Sequence, residues 1–460
     1  MLRLSQPQLS LWDSILPEEL RTLSPELKRV NELLDDPRFV EPFGQRFRER
    51  RGRPTVPVDT FLRLIYLKHR HDLSYERLVE EVRDSIMWRR FCRIPLDGEV
   101  PHSTTLVKLV KKYGPEVMDE LNEALVEQAR ERKVIRGKRL RVDTTAVESN
   151  IHYPTDASLL ADGVRVLRQL VHRVQAEGLA TRTHLRDRTR SIKRRLLGIQ
   201  KVLRRRTGQA YDEVRAITQE VLEIAEKATT EARRLAANAR KTLRRKAGQI
   251  GPEQIERRTK AVAALEEMLT RTEQVIDQTW QVQEGIRSIP ERLVSLFDPD
   301  ARPIVRGKLN KRVEFGYKLV VQEVEHGIIS GYEVLVGNPP DEEQLLPAFE
   351  RHQRTFKNPP RQVAVDRGMG RAANERALEE RGVVHPSLPR KGRLTQERRV
   401  YESQAWFRHL QRWRAGIEGR ISTLKRQHGL GRARVRGRQA VHWWVGAGIF
   451  AQNLKQLARV

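Results

Sequence analysis

Residues 164–290 are almost free of strand signal, yet strand-like alternation stands on both sides of them. This constrains the fold more than any other feature of the chain. A sheet built from both flanks must be discontinuous in sequence, with a helical block inserted between its strands. The block is rich in Ala, Leu, Glu, Gln and Arg. It carries one apolar stripe at Val214, Ile217, Val221, Ile224 and Ala228, a second at Leu235, Ala239 and Leu243, and a third at Leu265, Leu269, Thr272 and Ile276. That spacing is helical. Breaks fall near Gly178, Gly208 and the stretch Gly248–Pro252, which predicts a long antiparallel helical insertion. Its runs "SIKRRLLGIQKVLRRR" and "KTLRRKAG" are basic: solvated faces by default, with phosphate binding as the second reading.

The chain has 460 residues, more than one ordinary core fills, so two to three domains are expected. Lys and Arg number 88 against 60 Asp and Glu, a formal charge of +28. Such a surplus calls for a polyanionic partner, above all nucleic acid. The lone cysteine, Cys92, excludes an intramolecular disulfide and reads as a small core residue. No run is long and apolar enough for a membrane span, and "MLRLSQPQLSLWDSIL" has no signal-peptide core. The expectation is a soluble cytoplasmic protein without a membrane partner, associated with the nucleoid through DNA.

Residues 1–135 read as a helical domain that binds DNA or packs on the remainder. "TVPVDTFLRLIYLKHRHDLSYERLVEEV" spaces its apolar residues helically, and Ser74 or Asp72 caps the next helix. Ser103 and Thr104 are candidate caps further on. "KRLRVDTTAVESN" reads as a strand, then a loop. "RVEFGYKLVVQEV" and "GIISGYEVLVG" form a hairpin, Asp341 with Gln344 caps a helix, and "PPRQVAVDRGMG" is a further short strand. A long amphipathic helix begins near Glu402, with Trp406, Leu410, Trp413, Ile417, Ile421 and Leu424 as its stripe.

Two of these strands end alike, Arg-Val-Asp at Asp143 and Ala-Val-Asp at Asp366. If they lie side by side and parallel, both acids meet at one sheet edge, where α/β ligand sites gather. Adjacent carboxylates repel unless a cation or a shared proton lies between them. Oxygen ligands suit Mg²⁺ or Mn²⁺, and a pair of such ions serves phosphodiester displacement. Glu418 lies beside the stripe of the long helix, with Arg414 four residues before it and Lys425 seven after, on nearly one face. Alone, Asp143 reads as a solvated strand end and Glu418 as the partner of Arg414. Together, in so basic a chain, they read as a site.

These residues resemble the DDE transposases of bacterial insertion sequences, in particular the IS5-related group. The resemblance rests on "VDTTAVESNIHYPTDASLLADGVRVL", "VAVDRG" and "RAGIEGRISTLKRQHGLGRARVRG". Arg414, Glu418 and Lys425 match the family's third-acid signature, whereas its tyrosine position holds Gln411. The resemblance implies an α/β RNase H-like catalytic core, a mixed sheet flanked by helices, with an all-helical N-terminal domain and the insertion after the first strand. It implies Asp143, Asp366 and Glu418 as catalytic, metal-binding triad, with Mg²⁺ or Mn²⁺, two ions per site. It further implies an enzyme that cleaves double-stranded DNA at terminal inverted repeats and joins the freed 3′-OH to target DNA, working as a homodimer or larger assembly. Two alternatives are an inactive DNA-binding or architectural derivative and an RNase H-like nuclease without strand transfer.

The expected spans are 1–135 for the helical domain, 136–163 and 296–430 for the core, 164–295 for the insertion, and 431–460 for a basic segment and closing helix. Arg432, Arg434, Arg436 and Arg438 join Arg414 and Lys425 as candidate DNA contacts. Trp443 and Trp444 read as core. Nucleotide binding is not expected, because "GLGRARVRG" follows no convincing strand and lacks a Walker ending. Neither a small-molecule substrate nor a structural zinc site is expected, the histidines being scattered.

Overall fold

The computed structural model describes residue 4 and residues 15–44, 46, 55–205, 208–246, 248, 251–286, 288–305 and 313–460. The signal-peptide reading concerns residues up to 16, of which 1–3 and 5–14 lie outside the described residues. The chain divides into two compact units, Met1–Asn150 with Gly316–Val460, and Ile151–Phe315. No described helix is long and apolar enough to cross a membrane.

The first unit opens with helices α1 (Pro25–Leu34), α2 (Val58–Arg70), α3 (Tyr75–Asp84), α4 (Ile86–Phe91), α5 (Ser103–Tyr113) and α6 (Glu116–Glu131). Ser74 caps α3 by accepting from the Arg77 amide at 3.1 Å. The cap of α5 is His102, one residue before the expected Ser103; its Nδ1 accepts from the Thr104 amide. Strand β1 (Arg139–Ser149) follows.

The second unit holds α7 (Asp156–Ala176), α8 (Thr189–Arg204), α9 (Ala210–Lys246), α10 (Pro252–Gln283) and the short strand β2 (Arg302–Val305). Thr155 and Ser158 form a reciprocal capping box at the start of α7. The first two apolar stripes lie on the single helix α9, whose Val221, Ala228, Leu235 and Ala239 are buried against Leu160 and Leu167 of α7 and Leu265 and Leu269 of α10. Small alanines along α9 let the long helices approach closely. The unit spans Ile151–Phe315 rather than 164–295: at its start α7 is already part of this core, and at its end it takes in β2.

The chain returns through β3 (Val313–Glu323), β4 (Ile329–Val334), α11 (Leu345–Phe356), β5 (Gln362–Ala364), α12 (Ala372–Glu380), β6 (His385–Ser387), α13 (Gln396–Ser403), α14 (Ala405–Gln427), β7 (Arg432–Ala433) and α15 (Arg438–Leu457). The sheet is mixed. β1 runs antiparallel to β3, which is antiparallel to β4. On its other side β1 is parallel to β5, which is parallel to β6. β7 pairs in parallel with the far end of β1. Leu140, Val142, Val320, Phe349 and Val363 form the core between this sheet and α11.

Helix α15 is buried along almost its whole length. Phe450 meets Phe39 edge-on at 5.7 Å, and Trp443 lies 6.4 Å from Phe61. Trp444 is buried too, and its Nε1 donates to the Gly429 carbonyl at 2.8 Å. The N-terminal helices therefore share one hydrophobic core with the last helix of the unit.

His352 on α11 is buried, bonds the Gly137 carbonyl through Nε2 at 2.9 Å, and stacks on Phe356. Burial pushes its imidazole down to about 4, and that of His428 down to about 3. Both values lie below that of an exposed imidazole. The stability each neutral ring supports is complete above pH ~6.5 and is lost as pH falls toward 4, on the order of 3 kcal/mol per group. Urea titrations from pH 7 to pH 4 should show stability falling, and His352→Gln should flatten part of that slope.

Candidate active site

The site is built midway along β1 and just past the end of β5; β1 does not stop at Asp143 as expected but runs on to Ser149, because residues 144–149 continue the ladder with β3 and β7. Their parallel register pairs Arg139 with Gln362 and Arg141 with Ala364. Continuing that register by two residues sets Asp143 opposite Asp366. Asp143 is buried, and Asp366 is half-buried at the start of a tight turn. The Asp366 Oδ1 accepts from the Met369 amide at 3.2 Å, which ties the carboxylate to its own turn.

Helix α14 lies over the same edge, with Phe407, Leu410, Ile417 and Leu424 buried. Trp406, Trp413 and Ile421 of the expected stripe are only half-buried, and Phe407 carries part of the packing instead. Gln411, in the place of the signature tyrosine, donates through Nε2 to the Val365 carbonyl at 3.2 Å and to the Ser387 carbonyl and hydroxyl at 2.9 Å each. One side chain thus pins α14 to the ends of β5 and β6, directly before Asp366. A tyrosine hydroxyl has a single proton to donate and could not reproduce this set.

Arg414 bridges two of the acids. Its Nη2 donates to Asp143 Oδ2 at 3.0 Å and its Nη1 to Glu418 Oε1 at 2.8 Å. The second Asp143 oxygen accepts from the Thr144 amide at 2.8 Å. The Glu418 side chain is 65 % exposed and that of Arg414 only 14 %. The guanidinium therefore neutralises Asp143 at the sheet edge while Glu418 reaches outward.

Beneath Asp143 lies a buried ion pair. Arg141, on the same face two residues earlier, donates to Glu323 on β3 and to the Trp413 carbonyl of α14. Its guanidinium stacks on the Trp413 ring at 4.7 Å. A Cβ at Gly416 would come within 2.6 Å of Arg141 Nη1, so any side chain there would push the guanidinium aside. Burial raises the Glu323 carboxyl, and the nearby Arg141 and Arg420 counter that rise.

A further carboxylate, unexpected from sequence, faces the site. Asp341 was expected to cap a helix; it heads a 3-10 turn instead, and α11 starts at Leu345 without a side-chain cap. Its Oδ1 accepts from Thr144 Oγ1 at 2.9 Å and pairs with Lys318 Nζ at 2.6 Å. The available signal was Lys318 itself, a lysine at an inward position of the alternating strand "YKLVV".

Lys425 is half-buried two turns beyond Glu418. Arg432, Arg434, Arg436 and Arg438 are all exposed; Arg432 lies 3.5 Å from Glu148, and Arg434 lies 3.2 Å from Asp72. Because β7 pairs with β1 at Glu148, this arginine strip begins roughly 17 Å along β1 from Asp143. All the donors at the strand ends are oxygens, which suits a hard divalent cation. Among the described residues, no three metal-ligating side chains converge, and Arg414 stands between Asp143 and Glu418.

Two family models match the chain. A model described as "Transposase domain (DUF772)" covers residues 15–112, and one described as "Transposase DDE domain" covers residues 379–458. The second span contains Gln411, Arg414 and Glu418. An "Uncharacterized protein ORF8 in nfe locus" of Rhizobium meliloti is 35% identical over 150 residues, 32% of this chain and 70% of that protein. The chain belongs to the DDE transposases of insertion sequences. No solved structure matches this transposase.

The Arg141–Glu323 pair fixes α14 on the sheet of the transposase. The two side chains are 8 % and 0 % exposed, so removing Arg141 leaves the buried Glu323 only the more distant Arg420 at 3.7 Å. Arg141→Met should cost about 3–5 kcal/mol in urea denaturation. The double variant Arg141→Met/Glu323→Leu should recover most of that loss.

Proposed function

We propose that this transposase cleaves DNA at the terminal inverted repeats of its element and joins the freed end to target DNA, through one divalent-metal site formed by Asp143, Asp366 and Glu418 in an RNase H-like core. The observation that carries the reading is the parallel β1–β5 register; carried on by two residues past its last pair, it would bring Asp143 level with Asp366, which supports a shared site beneath α14. A mixed sheet with the first acid on its central strand and the third on an overlying helix supports the core assignment.

Asp143 and Asp366 would hold Mg²⁺ or Mn²⁺, with Glu418 joining once it leaves Arg414. When bound, a pair of such ions lowers the pKa of the attacking hydroxyl and neutralises the leaving oxygen. In the first displacement water adds to phosphorus and the P–O3′ bond breaks, leaving a 3′-OH. In the second that 3′-oxygen attacks a target phosphate and a target P–O3′ bond breaks. Both steps are in-line substitutions, so one set of carboxylates serves both. Arg414, half of whose hydrogen bonding now goes to Glu418, is placed to turn toward the scissile phosphate. Lys425 and the arginine strip hold flanking duplex, and a homodimer or larger assembly holds the paired ends.

The test is incubation of the protein with its flanking terminal repeats and Mg²⁺, scoring nicked and joined products. Asp143→Ala, Asp366→Ala and Glu418→Ala should each lower both products by roughly a thousandfold, about 4 kcal/mol of barrier, while DNA binding persists. Near-full cleavage by any one of them removes that residue from the site. Nicks without joined products would identify a nuclease, and binding without either a DNA-binding protein alone.

Binding should weaken steeply with salt. Replacing Arg432, Arg434, Arg436 and Arg438 together with alanine should reduce the slope of log K against log salt by roughly 3–4. Fluorescence anisotropy across a salt series reads this directly.

A further inference from the structure

Asp341 has a buried counter-charge, a hydrogen bond beside the first acid, and an oxygen directed at the turn that holds the second. We infer that Asp341 is the positioning residue that sets the carboxylates of Asp143 and Asp366 relative to one another, with Lys318 as its anchor. The inference rests on the reading of those two acids as metal ligands.

Consider first the β1–β3 side. Lys318 is opposite Ala146 and Thr144 is opposite Val320, so both side chains stand on the α11 face of the sheet, away from Arg141 and Asp143. Lys318 is buried, and its Nζ is divided between the Asp341 carboxylate and the Pro339 carbonyl. A buried ammonium needs a fixed anionic partner. This need, rather than a helix cap, decides where Asp341 points. Thr144 then couples Asp341 to the first acid: its hydroxyl donates to Asp341 Oδ1, and its own amide donates to Asp143 Oδ1.

The other oxygen of Asp341 serves the second acid. A Cβ at Gly368 would lie 2.8 Å from Asp366 Oδ1 and 3.4 Å from Asp341 Oδ2. The two carboxylates therefore confront each other across the bare backbone of Gly368. A second tie runs between the same segments, because Asn374 Nδ2 donates to the Glu342 carbonyl at 2.8 Å and to the Met369 carbonyl at 3.1 Å. Asn374 thus ties the 341–343 turn to the 366–369 turn. Repulsion from Asp341 holds the Asp366 carboxylate toward the sheet edge, and its tie to Thr144 holds the register with Asp143.

The probe is Mn²⁺ alone, titrated into the full-length protein and followed by electron paramagnetic resonance, with thermal melting in parallel. Wild type should bind Mn²⁺, and Asp143→Ala and Asp366→Ala should abolish binding; failure of this control overturns the metal-site reading and the present inference with it. Given that control, Asp341→Asn should weaken Mn²⁺ binding about 10- to 100-fold, the range for groups that orient metal ligands. Gly368→Ala should do the same by displacing the Asp366 carboxylate.

The double variant Asp341→Ala/Lys318→Met removes the buried ammonium together with its half-buried partner and separates positioning from charge balance. It should melt near wild type yet still bind Mn²⁺ at least tenfold more weakly. Wild-type Mn²⁺ affinity in Asp341→Asn, or its recovery in the double variant, would overturn the positioning role and leave the metal-site reading intact.

Discussion

The pair of Arg141 and Glu323, with the Trp413 carbonyl as third partner, is the joint on which the catalytic unit depends. It links β1, β3 and α14 at one point, two residues from Asp143. A charge pair so deeply buried gains little over an apolar pair of the same shape. What it gives is direction: a guanidinium has a fixed fork of donors, so α14 can sit on the sheet in only one rotation and height. Gly416 lets the helix come down onto that fork, and Gln411, less than one turn before Trp413, ties the same stretch of the helix to β5 and β6. The acid-bearing strand and the acid-bearing helix are thus referenced to the same side chain.

The electrostatics of the site follow from this placement. Asp143 is confined to a buried edge, where its charge must be met. Arg414 meets it now, and the same residue also holds Glu418. On the opposite face of β1, Lys318 and Asp341 form a second pair. A strand carrying an acid on one face and a threonine on the next residue therefore connects two separate charge systems through a single peptide unit.

Much of this was legible in the sequence. The repeated Val-Asp at 143 and 366 pointed to neighbouring parallel strands, which β1 and β5 are, but only β5 stops before its aspartate, whereas β1 carries Asp143 in mid-strand and runs on to Ser149. The helical insertion was visible from its missing strand signal, although its limits were not: "DASLLADGVRVL" follows the first strand but packs its leucines into the helical unit, and only tertiary contacts reveal that allegiance. The expected stripe of α14 named Trp406 and Trp413 and passed over Phe407, because a stripe drawn at steps of three and four does not say which edge of it the sheet covers. Asp341 was misread because a local pattern, acid then glutamine before an apolar run, resembles a cap. A buried lysine 23 positions earlier outweighs that local preference; its inward place in "YKLVV" signals the need for an anion but not which one.

The burial of α15 among the N-terminal helices has a consequence for synthesis. Phe39, Phe61 and their neighbours have no complete core until residues 438–457 have emerged and docked. An N-terminal fragment made by premature termination would expose those aromatic faces and be a substrate for proteolysis rather than a stable competitor for DNA ends. The fold makes the core of the N-terminal helices conditional on residues 438–457, although about 300 positions separate them in the chain.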